Sequence, residues 1–550
     1  CICFSHRIAS HLASKEGLVE RSLCTRASTA EPCDMMISTQ VSSLARRLGG
    51  LGGRSLAARP LSSKSSQRKH TASEELEFSL EEQILGYQRQ FPGNEGEVIN
   101  IEKGVVSMLG LQNAHLNSIV EMGSHGLKGY VVGLEKQVTK VAALGSPNSQ
   151  VIKIGDSAKL LSGADGELKA PVYMPGRVTT PVGLDYFSRE TLPCPLPAYT
   201  DAKHGAPTFL ERDRVTKQLF TGIFPIDTLY PIGYGTRNAL IGNNPRGLRY
   251  IALNLLARQA KLDPSKRSID SCIWVSSGLD QSGIRRTHQD LQGLGALDFT
   301  TVIASSNSEP WAIQALAPAT ACAMAEDRAR EGDRVLIVID SLGPVGAALA
   351  ELESARNGGK RVTSLFQPHR YLERVAPLQG KGSVTAFSLL YEDGSIESDQ
   401  VRDQIAGQVD NIINMQGMHG IRAIGSRRPG VRSFQDPRFR VLAWRLQEIL
   451  SDASQIQTAS VVARRLGINP ADEESLGSAL AYAENIRALF ESDVRDASLA
   501  DPEDQLVALD AVAHGDLDDP MLSPAGVKPF INKLCEQARI LRETKTNHEA

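Results

Sequence analysis

A strand, a glycine-bounded turn and a helix are predicted for the stretch Asn238-Ala239-Leu240-Ile241-Gly242-Asn243-Asn244-Pro245-Arg246-Gly247-Leu248-Arg249. Its apolar run ends in Gly242, four residues follow, and a second glycine, Gly247, precedes a helical-looking segment from Tyr250 to Gln259. This order of elements and this glycine spacing are those of the phosphate-binding loop, whose pattern is G-x-x-x-x-G-K-[ST]. Taken by itself, the stretch also fits a plain strand-to-helix turn.

Two positions of this loop depart from the phosphate-binding pattern. Leu248 stands where the pattern has Lys, and Arg249 stands where it has Ser or Thr. The loop therefore lacks the cation that reaches the terminal phosphates and the hydroxyl that binds Mg²⁺, and Pro245 removes a further backbone donor. The remaining loop amides and the helix N-terminus are still expected to favour an anion. The predicted degenerate phosphate loop comprises Gly242, Asn243, Asn244, Pro245, Arg246, Gly247, Leu248 and Arg249.

Further motifs lie on both sides of this loop. Residues 221–235 read T-G-I-F-P-I-D-T-L-Y-P-I-G-Y-G, and they resemble the segment T-G-I-K-A-V-D-S-L-V-P-I-G-R-G that precedes the phosphate loop in the α subunit of F-type ATP synthases. Four shorter motifs resemble that subunit in the same order along the chain: S-L-E-E-Q-I-L-G at 79–86, G-L-K-G at 126–129, A-L-A-P at 315–318, which corresponds to its Y-L-A-P, and Y-L-E-R at 371–374, which corresponds to its L-L-E-R. The resemblance is clearest over residues 74–392.

The hydrophobic pattern predicts three kinds of structure in succession. Short runs punctuated by glycine are typical of the strands of a small barrel, and they occur at residues 97–101, 129–134 and 149–154. Continuous apolar runs are typical of parallel strands that are buried on both faces, and they occur at residues 272–275, 301–304 and 335–339. Helical patterns follow at residues 441–450 and 479–490.

The resemblance implies a multi-domain fold with the same succession. Residues 74–169 are expected to form an N-terminal helix, over 74–87, and a six-stranded β-barrel crown. Residues 170–439 are expected to form a central α/β RecA-like P-loop domain, here degenerate, and residues 440–550 a C-terminal helical bundle.

The N-terminal 73 residues have the composition of a targeting segment. They carry 11 Lys and Arg against 4 Asp and Glu, and no acidic residue occurs between Met35 and Ser73. A basic, Ser-rich and amphipathic segment of this kind is typical of a mitochondrial transit peptide, although a disordered basic tail is the alternative interpretation. We expect translation to start at Met35 or Met36, with residues 1–34 upstream of the protein's own start.

Composition excludes several other classes of protein. The net charge is −3 although the leader is basic, so the body is acidic, which argues against a general nucleic-acid binder. No run of 18 apolar residues is present, so no membrane-spanning helix is expected. Beyond the leader, Cys194, Cys272, Cys322 and Cys535 are widely spaced without a C-x-x-C pair, which favours reduced thiols.

A carboxylate follows the apolar run Leu336-Ile337-Val338-Ile339 at Asp340. An acidic residue at the carboxyl end of a buried strand has the Walker B form, and ligands bind at that edge of open α/β sheets. Asp340 is therefore a candidate relic of a metal site that holds Mg²⁺ through water. The alternative is an Asp that caps the next turn.

The position of the catalytic base is changed as well. In the family that the chain resembles, the β subunit has a Glu just after a strand, where it polarises the attacking water, and the α subunit has Gln. The segment Gly278-Leu279-Asp280-Gln281 falls in this region, with Leu279 at the position itself. Leucine accepts no proton and Asp280 is one residue away, so hydrolysis by this chain alone is not expected.

The resemblance also implies an arginine finger, which the α subunit lends to the neighbouring β subunit in V-S-R-V-G. The nearest match is Ser426-Arg427-Arg428-Pro429-Gly430. Counting back from the glycine places Arg428 at the finger, whereas aligning the serines favours Arg427. A solvated basic loop is the alternative interpretation.

The leading hypothesis from the sequence is a non-catalytic α-type subunit of a mitochondrial F-type ATP synthase. It would lie peripheral to the membrane on the matrix side of the inner membrane, in a hetero-oligomer with β subunits and the central stalk, with no nucleic-acid partner. ATP and Mg²⁺ would bind weakly or not at all.

Two other hypotheses remain open. A segment between Gly359 and Tyr371 is about three residues shorter than in the family and lacks its Y-P-G-D, which favours a paralogue outside the ring, acting as an assembly factor or peripheral structural subunit. A nucleotide-binding enzyme that uses Arg246 or Arg249 in place of the missing Lys is the third possibility, because arginine binds phosphate bidentately.

Overall fold

The computed structural model describes residues 93–102, 104–135, 138–145, 152–162, 166–197, 206–356, 369–394, 396–416, 420–421, 434–465, 473–490, 499, 501–519 and 521–549. The predicted leader, the predicted helix at 74–87, the shortened segment before Tyr371 and both finger candidates, Arg427 and Arg428, lie outside these residues in whole or in large part.

The first six strands form a closed antiparallel barrel in the order β1-β2-β5-β4-β3-β6. They are β1 Glu95–Glu102, β2 Val105–Gly110, β3 Ile119–Met122, β4 Leu127–Leu134, β5 Thr139–Ala143 and β6 Ser157–Leu160. Apolar side chains from alternate positions, such as Val98, Met108 and Val141, fill the interior. The G-L-K-G motif opens β4, where a Cβ on Gly129 would lie 2.7 Å from the Val141 Cγ1 atom, so the motif's second glycine allows β4 and β5 to approach.

The barrel prediction is confirmed, but residues 152–154, the described part of one predicted strand, do not form a strand. The first three residues of that predicted strand, 149–151, lie outside the described residues, and residues 152–154 form a connection that leads into β6. Gly155 follows at φ +94°, a left-handed conformation that suits glycine, and its amide donates to Val98 O of β1 at 2.8 Å.

An eight-stranded sheet follows in the order β18-β17-β12-β16-β15-β13-β14-β8, and all its neighbouring strands are parallel except β17 and β18. Its strands are β8 Val178–Thr179, β12 Arg237–Gly242, β13 Ser271–Leu279, β14 Thr300–Ser306, β15 Arg334–Ile339, β16 Ser383–Tyr391, β17 Asn411–Gln416 and β18 Gly420–Ile421. Short pairs β7 Lys169–Ala170 with β9 Leu196–Pro197, and β10 Gln218–Leu219 with β11 Ile232–Gly233, lie outside this sheet.

Helices cover both faces of the sheet. They are α1 Phe224–Leu229, α2 Pro245–Ala260, α3 Gln281–Gly293, α4 Trp311–Glu331, α5 Leu342–Arg356, α6 His369–Leu372 and α7 Ile396–Ala406, with 3₁₀ turns at Pro264–Lys266 and Leu297–Phe299. Leu240 and Val338 point to the face covered by α2, whereas Ile241 and Ile339 point to the face covered by α4 and α5. Burial on both faces explains the continuous apolar runs of these strands.

The described residues from 434 onward form four further helices: α8 Pro437–Arg465, α9 Glu473–Phe490, α10 Pro502–His514 and α11 Pro524–Glu549. They share one core with the α2 face of the sheet. Buried Asp227 of α1 joins the two regions, because its Oδ2 atom accepts a 2.9 Å hydrogen bond from Gln505 Nε2 of α10. In the part of the chain that the structure describes, no helix combines the length and apolar character needed to cross a bilayer.

The Y-L-E-R motif is structural in this fold. Its Arg374 is buried, and Nε and Nη2 donate to the two carboxylate oxygens of Glu326 in α4 at 2.5 and 3.0 Å. The bidentate pair attaches the segment after α6 to helix α4, which covers one face of the sheet.

Candidate functional site

The predicted phosphate loop is a two-residue connection between β12 and α2. β12 ends at Gly242, and α2 begins at Pro245, with Asn244 in an extended conformation as its N-cap. The prediction that the helix begins near Tyr250 is therefore wrong, and Gly247 lies inside the helix instead of ending an extended loop. The Asn-Pro pair is itself a signal for this start, since Asn is favoured at the N-cap and Pro at the first helical position.

The N-terminal amides of α2 have partners within the chain. Asn244 Oδ1 accepts hydrogen bonds from the amides of Arg246 and Gly247 at 3.0 and 3.2 Å, and the amide of Leu248 donates to Asn244 O at 3.1 Å. Pro245 has no amide hydrogen. In this structure the chain's own side chain and carbonyl are therefore the partners of these three amides.

The two substituted positions of the motif point in different directions. Leu248, at the position of the motif's Lys, is 2% exposed and packs in the core between the sheet and the C-terminal helices. Arg249, at the position of the motif's hydroxyl, reaches along the carboxyl edge of the sheet towards Asp340. Arg246 is exposed at the start of the helix.

Arg249 is held by three side chains from two other elements. Its Nη1 atom lies 2.7 Å from Asp340 Oδ2, which follows β15, and its Nη2 atom donates to Thr287 Oγ1 of α3 at 2.7 Å. The same Nη2 atom lies 3.5 Å from Asp290 Oδ2, one helical turn beyond Thr287. The guanidinium carbon also lies 5.8 Å from the centre of the Trp274 ring, within the range of a cation–π contact.

Asp340 has a second donor and little access to water. The indole Nε1 of Trp274 donates to Asp340 Oδ2 at 3.3 Å, and the carboxylate side chain is 7% exposed. Burial raises the pKa of the Asp340 carboxyl above its ordinary value, while the Arg249 guanidinium and the Trp274 indole oppose that rise. The carboxylate thus depends on Arg249 for the charge that balances it.

These residues do not fit a magnesium ion of the usual phosphate-loop kind. Such an ion lies between the loop hydroxyl and the Walker B carboxylate. Here a guanidinium extends from the hydroxyl's position and bonds directly to that carboxylate. A divalent cation would meet a like charge and would have to displace Arg249 from Asp340. Within the described residues, no group of three or more His, Cys, Asp and Glu side chains offers another metal site.

The segment predicted to lack a catalytic base has a structural role. Leu279 ends β13 and packs against the core, and Asp280 is the N-cap of α3. Asp280 accepts hydrogen bonds from the Gly283 amide at 3.1 Å and from the Ser282 hydroxyl. The Ser282 hydroxyl and the Gly283 amide lower the pKa of the Asp280 carboxyl. Its charge stabilises the start of α3, which carries Thr287 and Asp290.

Three residues that contact Arg249 were not predicted from the sequence, namely Trp274, Thr287 and Asp290. Trp274 was assigned only to a buried strand, and the other two lie on a helix that shows no motif. Their one common property is proximity to Arg249, which sequence spacing does not reveal.

Comparison with known proteins agrees with the motif order. Residues 222–418 match the family described as ATP synthase alpha/beta family, nucleotide-binding domain. The chain is 32% identical over 333 residues to ATP synthase subunit alpha of Orientia tsutsugamushi (strain Ikeda). The aligned region covers 58% of this chain and 64% of the relative. It is 33% identical over 325 residues to ATP synthase subunit alpha of Anaplasma marginale (strain Florida), covering 56% and 62%.

A third relative extends this similarity to another bacterium. ATP synthase subunit alpha of Lactiplantibacillus plantarum (strain ATCC BAA-793 / NCIMB 8826 / WCFS1) is 32% identical over 333 residues, covering 58% of the chain and 62% of the relative. The chain therefore spans less than two thirds of the length of each of these relatives. The chain is thus similar in sequence to ATP synthase α subunits, and its residues 222–418 are similar to the nucleotide-binding domain of the ATP synthase alpha/beta family.

Proposed function

We propose that the chain is a non-catalytic, α-type subunit of a mitochondrial F-type ATP synthase whose own nucleotide site has been closed by its side chains. The similarity to α subunits and the closed barrel, parallel sheet and C-terminal helices support the subunit type. The contact between Arg249 and Asp340 is the main observation that supports the proposed loss of Mg-nucleotide binding.

Three features act together against MgATP at this site. The helix amides that would bind phosphate are capped by Asn244, the Lys position is a core leucine, and the carboxylate that would hold the ion is paired with Arg249. A nucleotide would have to break the cap and the ion pair, each at a cost of about 1 kcal/mol or more, and would gain no side-chain cation from position 248. The subunit would then act structurally beside the catalytic β subunits.

The mitochondrial part of the proposal rests on the leader. The acid-free basic segment from Met35 to Ser73 supports import into the matrix, and the α-like fold supports a position on the matrix side of the inner membrane, in contact with β subunits and the central stalk. Detection of the mature chain in purified mitochondria, shortened at its N-terminus relative to the translated protein, tests this assignment.

The copy number of the chain relative to β, in native ATP synthase resolved on a gel and quantified by mass spectrometry, tests the role in the ring. Parity with β supports the α-type ring position. A lower copy number would favour a peripheral structural subunit, and absence from the complex would favour an assembly factor. Calorimetric titration of the purified chain with MgATP tests the closed site, and we expect no saturable binding at millimolar nucleotide.

A further inference from the structure

One buried carboxylate lies where the C-terminal helices meet the α/β region. Asp227 of α1 is 0% exposed, and its helix contacts α8 and α9. The contact around it is mainly apolar. The rings of Phe224 and Phe490 of α9 have their centres 6.2 Å apart, and those of Phe220 and Phe439 of α8 lie 5.5 Å apart. Acidic side chains are rarely buried without a cation, so a carboxylate at this contact is unusual.

Four neutral donors hold the Asp227 carboxylate. Its Oδ1 atom accepts hydrogen bonds from the amide and the hydroxyl of Thr221, both at 2.8 Å. Its Oδ2 atom accepts from the Gly222 amide at 2.8 Å and from Gln505 Nε2 at 2.9 Å. Gln505 belongs to α10, and its Nε2 atom also donates to Leu499 O at 2.9 Å. Three of the donors thus belong to the segment that leads into α1, and the fourth is present only while α10 is docked.

Within the described part of the chain, Asp227 forms no ion pair. Next to Gln505 in α10, Glu503 pairs with Arg438, and the buried Asp504 pairs with Arg539 of α11. The other charged side chains on the surrounding elements are the exposed Lys217, Arg440, Glu484, Arg487, Asp501, Asp510 and His514, and the buried Arg258 of α2, whose Nε donates to Asn254. Neutral donors and apolar side chains therefore surround the carboxylate.

The docked helices keep water away from this carboxylate. Burial raises the pKa of the Asp227 carboxyl from 3.8 to about 6, while hydrogen bonds from Gln505, Thr221 and Gly222 oppose that rise. If the C-terminal helices moved away from α1, water would reach the carboxyl and its pKa would return towards 3.8. The docked arrangement therefore binds a proton more tightly than the undocked one, and by linkage the proton favours docking.

We propose that Asp227 makes the attachment of the C-terminal helices to α1 depend on pH, with tight docking when its carboxyl is protonated and more frequent opening when it is ionised. The proton comes from the solvent and removes the negative charge while the shape of the side chain is kept. The Thr221 hydroxyl can rotate to accept the added hydrogen. The contacts between the aromatic rings do not change with pH, so the helices stay attached in both states and differ in how often they open locally.

Amide hydrogen–deuterium exchange of the full-length chain, read by mass spectrometry at pH 5 and pH 8 and corrected for the intrinsic pH dependence of exchange, measures this opening. In the parent chain, peptides of α10 should exchange about tenfold faster at pH 8, because ionisation then disfavours the docked arrangement. Peptides of β2 and β5 in the barrel, which is far from Asp227 in the sequence and has its own core, should not change. Asp227→Asn is neutral at both pH values and should remove the difference.

Gln435→Met is the matched control. Gln435 is buried just before α8, and its Nε2 atom donates to Thr228 O of α1 at 3.2 Å, so it attaches the C-terminal helices to the same helix through a neutral acceptor. This variant should speed the exchange of α10 by the same factor at both pH values. Gln505→Met removes a donor that favours the ionised carboxylate, so it should enlarge the difference between pH 5 and pH 8.

The outcomes decide for or against the proposal. Equal corrected exchange of α10 at the two pH values in the parent chain overturns it, whether or not any variant folds. A change of the same size in the barrel peptides also overturns it, because that result shows a change of global stability without separate opening of the helices. A difference that persists in Asp227→Asn assigns the pH dependence to another group and overturns it as well. A difference that is confined to the C-terminal helices and absent from Asp227→Asn supports it.

Discussion

The Nη1 atom of Arg249 lies 2.7 Å from Oδ2 of Asp340, although the two residues are 91 positions apart in the sequence. Arg249 is the fifth residue of α2, the helix after β12, and Asp340 follows β15, two strands away from β12 in the sheet. The contact places a side-chain cation against the acid that a phosphate-loop protein uses for its metal ion. The pair thus connects α2 to the carboxyl edge of the sheet by direct contact between the two side chains.

Removal of the cation is expected to destabilise the fold. Arg249→Ala leaves the carboxylate of Asp340 buried without its balancing charge, which lowers the free energy of unfolding by about 3 kcal/mol. Arg246→Ala is the matched control, because Arg246 is exposed in the same helical turn. Urea denaturation at pH 7 measures both, and equal values for the two variants would contradict a stabilising role of the pair.

Restoring the motif's lysine at position 248 is not expected to restore MgATP binding. Leu248→Lys places an ammonium group at a side chain that is 2% exposed in the core, so we expect a loss of several kcal/mol of stability and no MgATP binding. Leu248→Met, which keeps an apolar side chain of similar volume, should cost less than about 1.5 kcal/mol. A stable lysine variant that binds MgATP in calorimetry would show that position 248 can face a nucleotide.

The cap of α2 provides a third test. Asn244→Ala removes the acceptor for the amides of Arg246 and Gly247 and should lower the free energy of unfolding by about 1 kcal/mol. Asn244→Asp, which keeps an acceptor and complements the helix dipole, should be close to the parent chain. Asn243→Ala, at the exposed neighbouring position, serves as the control in the same denaturation series. No difference between Asn243→Ala and Asn244→Ala would argue against the cap.

Asp227 is expected to make stability depend on pH. Burial raises the pKa of its carboxyl from 3.8 to about 6, while hydrogen bonds from Gln505 and Thr221 oppose the rise. Because the folded-state pKa is above the unfolded one, the stability contributed by the protonated group is full below pH 3.8 and is lost as pH rises through 6. The free energy of unfolding of the parent chain, minus that of Asp227→Asn, should therefore decrease as pH rises from 3.8 to about 6 and stay constant at higher pH.

A variant of a second carboxylate, Asp280, serves as the control for this pH dependence. Asp280 is exposed, and hydrogen bonds lower the pKa of its carboxyl, so its contribution is lost only as pH falls below 3.8. Asp280→Asn should accordingly leave the pH dependence between 4 and 6 unchanged relative to the parent chain. A flat difference for Asp227→Asn over the same interval would place the pKa of Asp227 near its ordinary value.

Strands and helices were predicted best where burial leaves a continuous pattern. The runs at 272–275, 301–304 and 335–339 lie within β13, β14 and β15, because strands buried on both faces have apolar residues at every position. Errors fell at boundaries. The predictions at residues 152–154 and at the start of α2 were wrong, because a glycine turn at Gly155 and an Asn-Pro cap at Asn244 and Pro245 end or begin elements independently of apolar content and motif spacing.

The sequence by itself determined the order of the motifs, the buried strands and the loss of the lysine and hydroxyl at positions 248 and 249, since each is a property of residue type and spacing. The tertiary structure decided what replaced them. Whether Arg249 would serve a phosphate or pair with Asp340 depended on which strands are neighbours at the sheet edge and on where α3 places Thr287. Distances between residues far apart in the chain fix that choice, because a hydrogen bond forms only at a donor–acceptor distance of about 3 Å and the Coulomb energy decreases with distance, and the local sequence does not contain these distances.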